Sequence, residues 1–282
     1  MNDNYSETLG WDLGIPAQES ASDIFILIFC MGKPVYGPHA AWSQTRIAWS
    51  DLDDDALFVA RKGTAAWYAV SIHSDDLPSG WQTLELRTLA ASDSDLYALA
   101  SRAVQLLRWR DHHRFCGACG GETTGSPSEH VRHCHDCGHT FYPKILPCVI
   151  VLVTKGDELL LARSHRHKQT DQFSLIAGFV EVGETLEQAV HREVLEEVGI
   201  QVTFPQYQGS QTWPFPGQLM VGFVAEYAGG AICIQEDELV EAGWYAVDQL
   251  PKVPNKLSIA GWLIRRFVTS LGKDPEALIT GW

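Results

Sequence analysis

The first 110 residues alternate short hydrophobic runs with polar, turn-forming clusters. Apolar runs at 24–31, 56–60 and 65–72 have the length of strands and are separated by segments rich in Asp, Ser and Gly, as is typical of strands joined by turns. From 95 to 110 the apolar positions follow helical spacing instead. The pattern predicts a β-rich N-terminal domain at 1–110. Because its sequence shows no constellation of reactive side chains, we expect it to serve as a scaffold or in dimerisation.

From position 143 onward the pattern predicts several strands around two helices. Apolar runs at 148–154 and 158–162 are joined by Lys155-Gly156-Asp157, which is typical of a hairpin turn. A polar, partly basic stretch at 164–172 is either a solvated loop or a loop near a polyphosphate. Further strands are expected at 173–177, 201–207, 219–227, 231–235 and 244–247, and a closing helix at 258–271. Together these elements indicate an α+β domain at 143–282, with helices layered on a sheet.

The other helix of this domain is expected at 185–198. The stretch contains neither proline nor glycine, Thr185 can cap its start, and Gly199 ends it. Hydrophobic residues recur at every fourth position, forming a stripe that would pack against the sheet: Leu186, Val190, Val194 and Val198.

One face of the same helix concentrates negative charge. Glu193, Glu196 and Glu197 are spaced i, i+3 and i+4, so their carboxylates share a face. Like charges this close repel, and a cation between them would relieve the repulsion. Carboxylate oxygens suit Mg²⁺ or Mn²⁺, which in turn suit phosphate substrates. The alternative interpretation is a surface helix with a solvated acidic face.

Four of the seven cysteines form two Cys-x-x-Cys pairs, which are 14 residues apart: Cys116 and Cys119, then Cys134 and Cys137. Glycines beside each pair allow tight turns. The spacing predicts a zinc ribbon at 111–142, in which four thiolates hold a structural Zn²⁺ with no open position. The presence of two pairs argues against a redox pair, while His133 and His135 are possible substitute ligands. Zinc ribbons also occur in nucleic-acid binders, which leaves a second function class open.

Composition narrows the class of protein further. The 282 residues are 45% hydrophobic, and the formal net charge of −14 corresponds to a pI near 5.1. These values indicate a globular protein and argue against strong non-specific binding to nucleic-acid backbones, which requires a basic surface. No signal-peptide pattern or membrane-spanning apolar run is found in the sequence, and the cysteine usage favours a reducing compartment. We therefore expect a cytoplasmic protein.

An aromatic, proline-rich segment lies at 209–220. Pro214 and Pro216 stiffen it, while Trp213 and Phe215 offer ring faces on which a planar base could stack. A proline-rich turn with buried aromatic residues is the alternative.

The acidic helix and the residues before it resemble the Nudix box, Gly-x5-Glu-x7-Arg-Glu-U-x-Glu-Glu-x-Gly-U, where U is apolar. All fixed positions match: Gly178, Glu184, Arg192, Glu193, Val194, Glu196, Glu197, Gly199 and Ile200. This resemblance implies the Nudix fold, a sandwich of mixed sheet and helices, here preceded by the zinc ribbon and the β-rich domain.

The aromatic segment is similar to the SQPWPFPxS array of NADH pyrophosphatases. Ser210, Gln211 and residues 213–216 match, while Thr212 replaces a proline and Gln218 replaces a serine. The zinc ribbon directly before the Nudix domain extends the resemblance. It implies metal-dependent hydrolysis of NAD(H) to nicotinamide mononucleotide and AMP, removal of the NAD cap from RNA 5′ ends, and a homodimer with active sites at the subunit interface. The two departures bear on the preference among related dinucleotides.

The resemblance also implies roles for individual residues. The zinc ligands would be Cys116, Cys119, Cys134 and Cys137. The Mg²⁺ or Mn²⁺ ligands would be Glu193, Glu197, Glu238 and the carbonyl of Ala177, with Glu196 in the same cluster and Glu236 or Glu241 as alternatives to Glu238. Phe179 would stack on nicotinamide, with Trp213 of the partner subunit on the other face. Substrate contacts would come from Tyr142, Phe179, Gln211, Thr212, Trp213, Pro214, Phe215, Pro216, Gly217, Gln218 and Ala260.

The expected mechanism is attack of water on the phosphorus at the nicotinamide side. Glu196 or Glu197 would assist deprotonation of that water, Arg192 would orient the glutamates, and Glu184 would lie within reach of the cations. Two other functions are open. One is hydrolysis of ADP-ribose or another nucleoside diphosphate derivative, and the other is a non-catalytic zinc-ribbon module that binds nucleic acid or protein.

Overall fold

The chain divides into two units, Met1–Lys144 and Ile145–Trp282. The computed structural model describes residues 11–15, 23–37, 45–47, 55–77, 79–165 and 170–279. The basic part of the loop predicted at 164–172, residues 166–169, lies outside the described residues. No helix in the described ranges is both long and apolar enough to cross a membrane.

The first unit contains a sheet with order β4-β5-β1-β2-β6, to which β3 adds by pairing with β1. Its elements are β1 (Asp23–Cys30), β2 (Lys33–Tyr36), β3 (Thr45–Ile47), β4 (Leu57–Lys62), β5 (Ala65–Ile72), β6 (Gln82–Thr83), α1 (Leu86–Ser92) and α2 (Ser94–His112). The strands predicted at 24–31, 56–60 and 65–72 and the helix predicted at 95–110 are confirmed.

Helix α2 is anchored at its start and packs on this sheet. The side chain of Asp93 accepts a hydrogen bond from the backbone N–H of Leu96 at 2.9 Å and so caps the helix. Arg102, about two turns further on, donates from Nε to the carbonyl of Val59 on β4 at 2.7 Å. The apolar face of α2 is buried, as its spacing predicts.

A three-stranded sheet with order β7-β8-β9 follows in the same unit. The strands are short: β7 (Thr123–Gly125), β8 (Arg132–Cys134) and β9 (Thr140–Phe141). His130 is partly buried, and its Nε2 donates to the carbonyl of Phe58 at 2.8 Å. This contact ties the segment to the larger sheet of the unit.

The second unit is a mixed sheet with order β13-β15-β10-β11-β16, to which β12 adds on β10 and β14 on β15. Its elements are β10 (Leu146–Lys155), β11 (Glu158–Ser164), β12 (Ile176–Phe179), α3 (Leu186–Val198), β13 (Gln201–Val202), β14 (Gln206–Trp213), β15 (Gln218–Gly229), β16 (Leu239–Ala246), α4 (Ile259–Ser270) and α5 (Pro275–Leu278). β10 and β15 run parallel, and the other pairs are antiparallel.

Helices α3 and α4 pack on this sheet through alternate residues of the strands. The stripe of α3 is buried among one set of positions on β10 and β15, including Val149, Val151 and Val221. The next residue, Gly222, leaves room for α4, because a Cβ there would lie 2.8 Å from Cδ1 of Ile259. This layered α+β arrangement agrees with the expected fold class.

Three details differ from the prediction. Residues 231–235 do not form a strand, since the N–H groups of Cys233 and Gln235 donate to the last carbonyls of α3 instead. The final strand begins at Leu239 rather than at 244. The aromatic segment at 209–220 is mostly strand, because β14 continues to Trp213 and β15 begins at Gln218.

Candidate active site and metal centre

Helix α3 has a well-defined start and end. The side chain of Thr185 accepts from the N–H of Gln188 while the side chain of Gln188 accepts from the N–H of Thr185, which forms a capping box. At the other end Gly199 adopts a left-handed conformation with φ of 73°. The two caps fix which residues of the helix face the sheet and which carry the acidic face.

Strand β12 passes very close to the acidic face of α3. A Cβ added to Gly178 would lie 1.9 Å from the carboxyl carbon of Glu193, so any larger residue at this position would displace the Glu193 carboxylate. Ala177, whose carbonyl is a candidate metal ligand, directly precedes it and pairs with Ile150 of β10. The glycine of the motif therefore lets the strand backbone approach the glutamates.

Arg192 organises the neighbouring carboxylates. Its Nε and Nη2 each lie 2.8 Å from one oxygen of Glu184, and its Nη1 lies 2.8 Å from Glu193 and 3.0 Å from Glu196. Nη2 also donates to the carbonyl of Phe179 at 2.8 Å. The guanidinium group lowers the pKa of Glu184, whose side chain is 13% exposed. Arg192 and Glu184 thus form a structural frame around the acidic face.

Glu197 is the carboxylate least exposed to solvent, at 6%. Burial, reinforced by the charges of Glu193, Glu238 and Glu196, raises its pKa to about 8. Burial also raises the pKa of Glu193, against the opposing effect of Arg192. Carboxyl groups whose ionised form is destabilised in this way are typical of a functional site.

Glu238 reaches this cluster from a different segment. Its charge raises the pKa values of both Glu193 and Glu197, and the nearby Gln235 donates from its backbone N–H to the carbonyl of Glu197 at 2.9 Å. Glu241, an alternative candidate, lies 3.1 Å from Nη2 of Arg163 in an ion pair. The structure therefore favours Glu238 over Glu241 as the additional carboxylate.

The donor set around Glu197 fits a hard divalent cation. It consists of carboxylate oxygens that repel each other and a strand carbonyl, which is the chemistry that Mg²⁺ and Mn²⁺ prefer. A bound cation would offset the repulsion that raises the pKa of Glu197. Glu193, Glu197, Glu238 and the carbonyl of Ala177 could hold it.

The aromatic segment forms the tip of the hairpin between β14 and β15. Trp213 pairs with Gln218 across the hairpin, and residues 214–217 form the turn. The rings of Trp213 and Phe215 meet edge to face, with centroids 5.5 Å apart. Pro214 and Gly217 are buried, whereas Thr212 and Pro216 are exposed. The hairpin thus holds two half-buried aromatic rings in a fixed mutual arrangement.

Gln211 connects this hairpin to the start of α4. Its Nε2 donates to the carbonyl of Leu257 and its Oε1 accepts from the N–H of Ile259, both at 2.8 Å. Ala260, another candidate substrate contact, follows directly and is buried. Both ends of the Gln211 amide are therefore engaged within the protein.

The remaining candidate substrate residues are exposed aromatic side chains. Phe179 is 45% exposed and lies at the end of β12, where its carbonyl accepts from Arg192. Tyr142 is 58% exposed and belongs to the first unit.

The four cysteines of the ribbon converge on one point. Their sulfur atoms all lie within 4.8 Å of one another, and in the described part of the chain no second group of three or more His, Cys, Asp or Glu side chains has its ligand atoms this close together. Cys116 and Cys137 are 3.5 Å apart and Cys119 and Cys134 are 3.4 Å apart. This thiol set fits a tetrahedral zinc ion.

The two halves of the ribbon have matching turns. Gly120 donates to the carbonyl of Cys116 at 2.9 Å, and Gly138 donates to that of Cys134 at 3.0 Å. Both glycines have positive φ angles, of 80° and 76°. The possible substitutes His133 and His135 contact Thr140 and Thr124 instead and are not part of the converging group.

Some features near the acidic cluster could not be found by sequence reasoning. Cys148 is buried, and its pKa is raised to about 12 by burial and by the charges of Glu193 and Glu197. His165 contacts the segment that carries Glu238 through two hydrogen bonds. Neither residue belongs to a motif, so only the fold reveals its proximity.

Comparison with known protein families gives two matches. A model described as the NUDIX domain matches residues 144–266, and one described as the NADH pyrophosphatase zinc ribbon domain matches residues 111–142. Among solved structures, a NUDIX hydrolase from Nitrosomonas europaea is 22% identical, with 57% of this chain and 94% of that chain covered and a TM-score of 0.48.

Curated relatives cover most of the chain. A protein named NAD-capped RNA hydrolase NudC from Stutzerimonas stutzeri is 45% identical over 73% of this chain and 74% of its own length. A protein of the same name from Pectobacterium atrosepticum is 45% identical over 72% of this chain and 75% of its own length. A third protein of this name, from Pseudomonas fluorescens, is 44% identical over 76% of this chain and 78% of its own length.

Proposed function

The chain belongs to the Nudix hydrolase family, and we propose that it hydrolyses the diphosphate bond of NAD(H) and of the NAD cap on RNA 5′ ends. The similar proteins named NAD-capped RNA hydrolase support this substrate class. The observation that carries the proposal is the acidic cluster, in which Glu197 is buried beside Glu193 and within the electrostatic field of Glu238.

The acidic cluster is suited to a substrate that is itself strongly negative. Divalent cations, when bound, neutralise the diphosphate and orient the attacking water. Glu193, Glu197, Glu238 and the carbonyl of Ala177 would hold them, and either Mg²⁺ or Mn²⁺ fits these oxygens. Arg192 fixes the directions of Glu193 and Glu196, and Glu184 fixes Arg192 in turn.

Glu197 is the carboxylate that we propose as general base. A base is most effective when its pKa lies near the working pH, and burial raises the pKa of Glu197 to about 8 in the metal-free protein. Its carboxylate would accept the proton of the water that attacks the phosphorus on the nicotinamide side. AMP would then leave with the bridging oxygen. Glu196 is the alternative base, but it is 53% exposed and already paired with Arg192.

Selection of the nucleotide would depend on the aromatic side chains. Phe179 and Trp213 present rings that could sandwich nicotinamide, with Trp213 contributed by the partner subunit of a homodimer. Residues 211–218 and Ala260 would complete the binding surface. Gln211 would act indirectly, because its amide already bonds to Leu257 and Ile259.

We further propose that three parts of the chain have different roles. Residues 1–110 would serve as scaffold or dimerisation domain, residues 111–142 as a structural zinc ribbon, and residues 143–282 as the catalytic domain. The converging cysteines support the zinc site, and thiols kept available for zinc favour a reducing, cytoplasmic location.

A substrate panel tests the proposed function. The purified protein would be given NADH, NAD⁺, NADP(H), NAD-capped RNA and ADP-ribose, each with Mg²⁺ and with Mn²⁺, and product release would be followed by chromatography. We expect metal-dependent formation of AMP from NADH and of 5′-monophosphate RNA from capped RNA. If the protein cleaves neither NADH nor NAD-capped RNA, with Mg²⁺ or with Mn²⁺, the proposal is wrong.

Hydrolysis of ADP-ribose is the second candidate function, because Thr212 and Gln218 depart from the NADH pyrophosphatase array. Trp213→Ala distinguishes the two. If the indole of Trp213 stacks on nicotinamide, the variant should lose far more activity on NADH than on ADP-ribose, which has no nicotinamide. Equal losses on both substrates would favour the second candidate.

A further inference from the structure

Glu238 lies in a turn whose position is not determined by the Nudix helix alone. The carbonyl of Gln235 accepts from the N–H groups of Glu238 at 3.1 Å and Leu239 at 2.9 Å, which closes the turn. On one side the turn is tied to α3, because the N–H of Gln235 donates to the carbonyl of Glu197 at 2.9 Å. A second bond, from the N–H of Cys233 to the carbonyl of Val198 at 3.0 Å, ties the same side to the end of the helix.

His165 holds the other side of the same turn. Its backbone N–H donates to the carbonyl of Glu238 at 3.1 Å. Its ring Nε2 lies 2.9 Å from the carbonyl of Glu236. A carbonyl can only accept, so Nε2 carries the proton. One histidine thus binds two outward-facing carbonyls of the turn, directly after the end of β11.

The turn needs such a restraint because of the charges around it. Glu238 is exposed, and its carboxylate is repelled by Glu193 and Glu197. Without a bond on its outer side, the turn would relax away from the cluster whenever no cation is bound. Residues that orient a metal ligand from outside typically change metal affinity by about 10- to 100-fold when they are removed.

We infer that His165 is a positioning residue that holds the Glu236–Glu238 turn so that Glu238 can bind a divalent cation together with Glu193 and Glu197. The inference rests on the proposed function, since it assigns a supporting residue to the same cation site. His165 is the first residue after β11 and belongs to the polar, partly basic stretch at 164–172. One residue of that stretch thus has a role that requires no contact with the substrate.

Mn²⁺ binding to the protein without substrate tests the inference. Free Mn²⁺ is measured by electron paramagnetic resonance during titration of the zinc-loaded protein, so turnover is not involved. His165→Phe keeps a ring of similar size but removes the side-chain donor. His165→Gln restores an N–H donor that can reach the carbonyl of Glu236. His112→Phe, an exposed histidine on the last turn of α2, controls for unspecific binding of Mn²⁺ to surface imidazoles.

We expect His165→Phe to weaken Mn²⁺ binding roughly tenfold, Glu238→Gln to weaken it at least as much, and His165→Gln to restore most of the affinity. The metal concentration for half-maximal activity should rise in parallel, whereas kcat at saturating Mn²⁺ should change little. Wild-type affinity in His165→Phe would overturn the inference, as would a failure of His165→Gln to rescue. The latter result would mean that the imidazole itself binds the ion.

The variant Glu197→Gln distinguishes a failure of the positioning role of His165 from a failure of the proposed function. If the wild-type protein binds Mn²⁺ and Glu197→Gln does not, the cation site is established, and the histidine variants then test the positioning role alone. If Glu197→Gln binds Mn²⁺ as the wild type does, the proposed site is wrong and the inference fails with it.

Discussion

Glu197 combines the lowest exposure and the most strongly raised pKa among the carboxylates of the site. The sequence identifies it as part of a motif, but its special character comes from burial, which no spacing rule reports. Glu196, its neighbour in the chain, faces solvent and pairs with Arg192. Two adjacent glutamates of the same motif therefore have different chemistry, because the helix turns one inward and the other outward.

Metal-free Glu197 should make the stability of the protein depend on pH. Its pKa is about 8 in the folded protein and about 4.3 in an unfolded chain. Between these values the folded state keeps a proton that the unfolded state releases, so stability falls as pH rises through this window. The effect is on the order of 5 kcal/mol at most.

Glu197→Gln should remove this pH dependence. In metal-free protein we expect the variant to have a higher thermal midpoint than the wild type at pH 8 and a similar one at pH 4.5, because an amide does not ionise. Calorimetry with a chelator present measures this difference, with Glu187→Gln on the same helix as control. If Glu197→Gln leaves the thermal midpoint at pH 8 unchanged, burial does not destabilise the charged Glu197 carboxylate in the folded protein.

The hairpin of β14 and β15 shows how one element holds the residues that we propose for specificity. Trp213 and Phe215 sit at its tip, and Gln211 ties its first strand to α4. The close packing of α4 against Gly222 leaves little freedom at this junction. The hairpin and the start of α4 should therefore behave as one unit.

Gln211→Met is expected to destabilise the catalytic domain by about 1–3 kcal/mol, because it leaves the N–H of Ile259 and the carbonyl of Leu257 without their partner. It should also raise the KM for NADH. Hydrogen exchange of the backbone around 257–261, measured without substrate, should become faster. Gln208→Met on the same strand is the matched control, since the Gln208 amide makes only a local contact with Gln206. Unchanged exchange together with a raised KM would instead indicate direct substrate contact by Gln211.

Local signals explain which elements could be predicted. Helix α3 has a hydrophobic stripe, a capping residue and a terminal glycine, and the zinc ribbon has fixed cysteine spacing, so neither depends on distant contacts. Residues 231–234 form a short apolar run with two isoleucines, like a strand, yet the N–H groups of Cys233 and Gln235 bond to the end of α3. The role of Gln211 was equally hidden, because its partners at 257 and 259 are far away in sequence.

At the scale of the whole molecule, the chain combines a zinc-dependent unit with a cation-dependent unit. The first unit contains the converging cysteines and the second contains the Nudix helix. Two kinds of metal with different preferred ligands, sulfur and oxygen, are thus expected in one chain. Their removal should have different consequences.

Cys134→Ser should abolish zinc retention and destabilise the ribbon. The ribbon strands have only two or three residues each, so their folding depends on the metal. We expect about one zinc per chain in the wild type and almost none in the variant by elemental analysis, together with faster proteolysis within 111–142. Cys30→Ser, a buried cysteine outside the ribbon, is the control for loss of a thiol. Full zinc content in Cys134→Ser would contradict the four-cysteine site.

The central claim is that the glutamate cluster around buried Glu197 directs water onto the diphosphate of NAD(H). Its most direct test is hydrolysis of NADH with Mn²⁺ in water labelled with oxygen-18, followed by mass spectrometry of both products, for the wild type and Glu197→Gln. We predict one labelled oxygen in nicotinamide mononucleotide, unlabelled AMP, and a rate in Glu197→Gln lower by about 10²- to 10⁴-fold. Label in AMP would contradict the side of attack, and near wild-type turnover in the variant would contradict the claim itself.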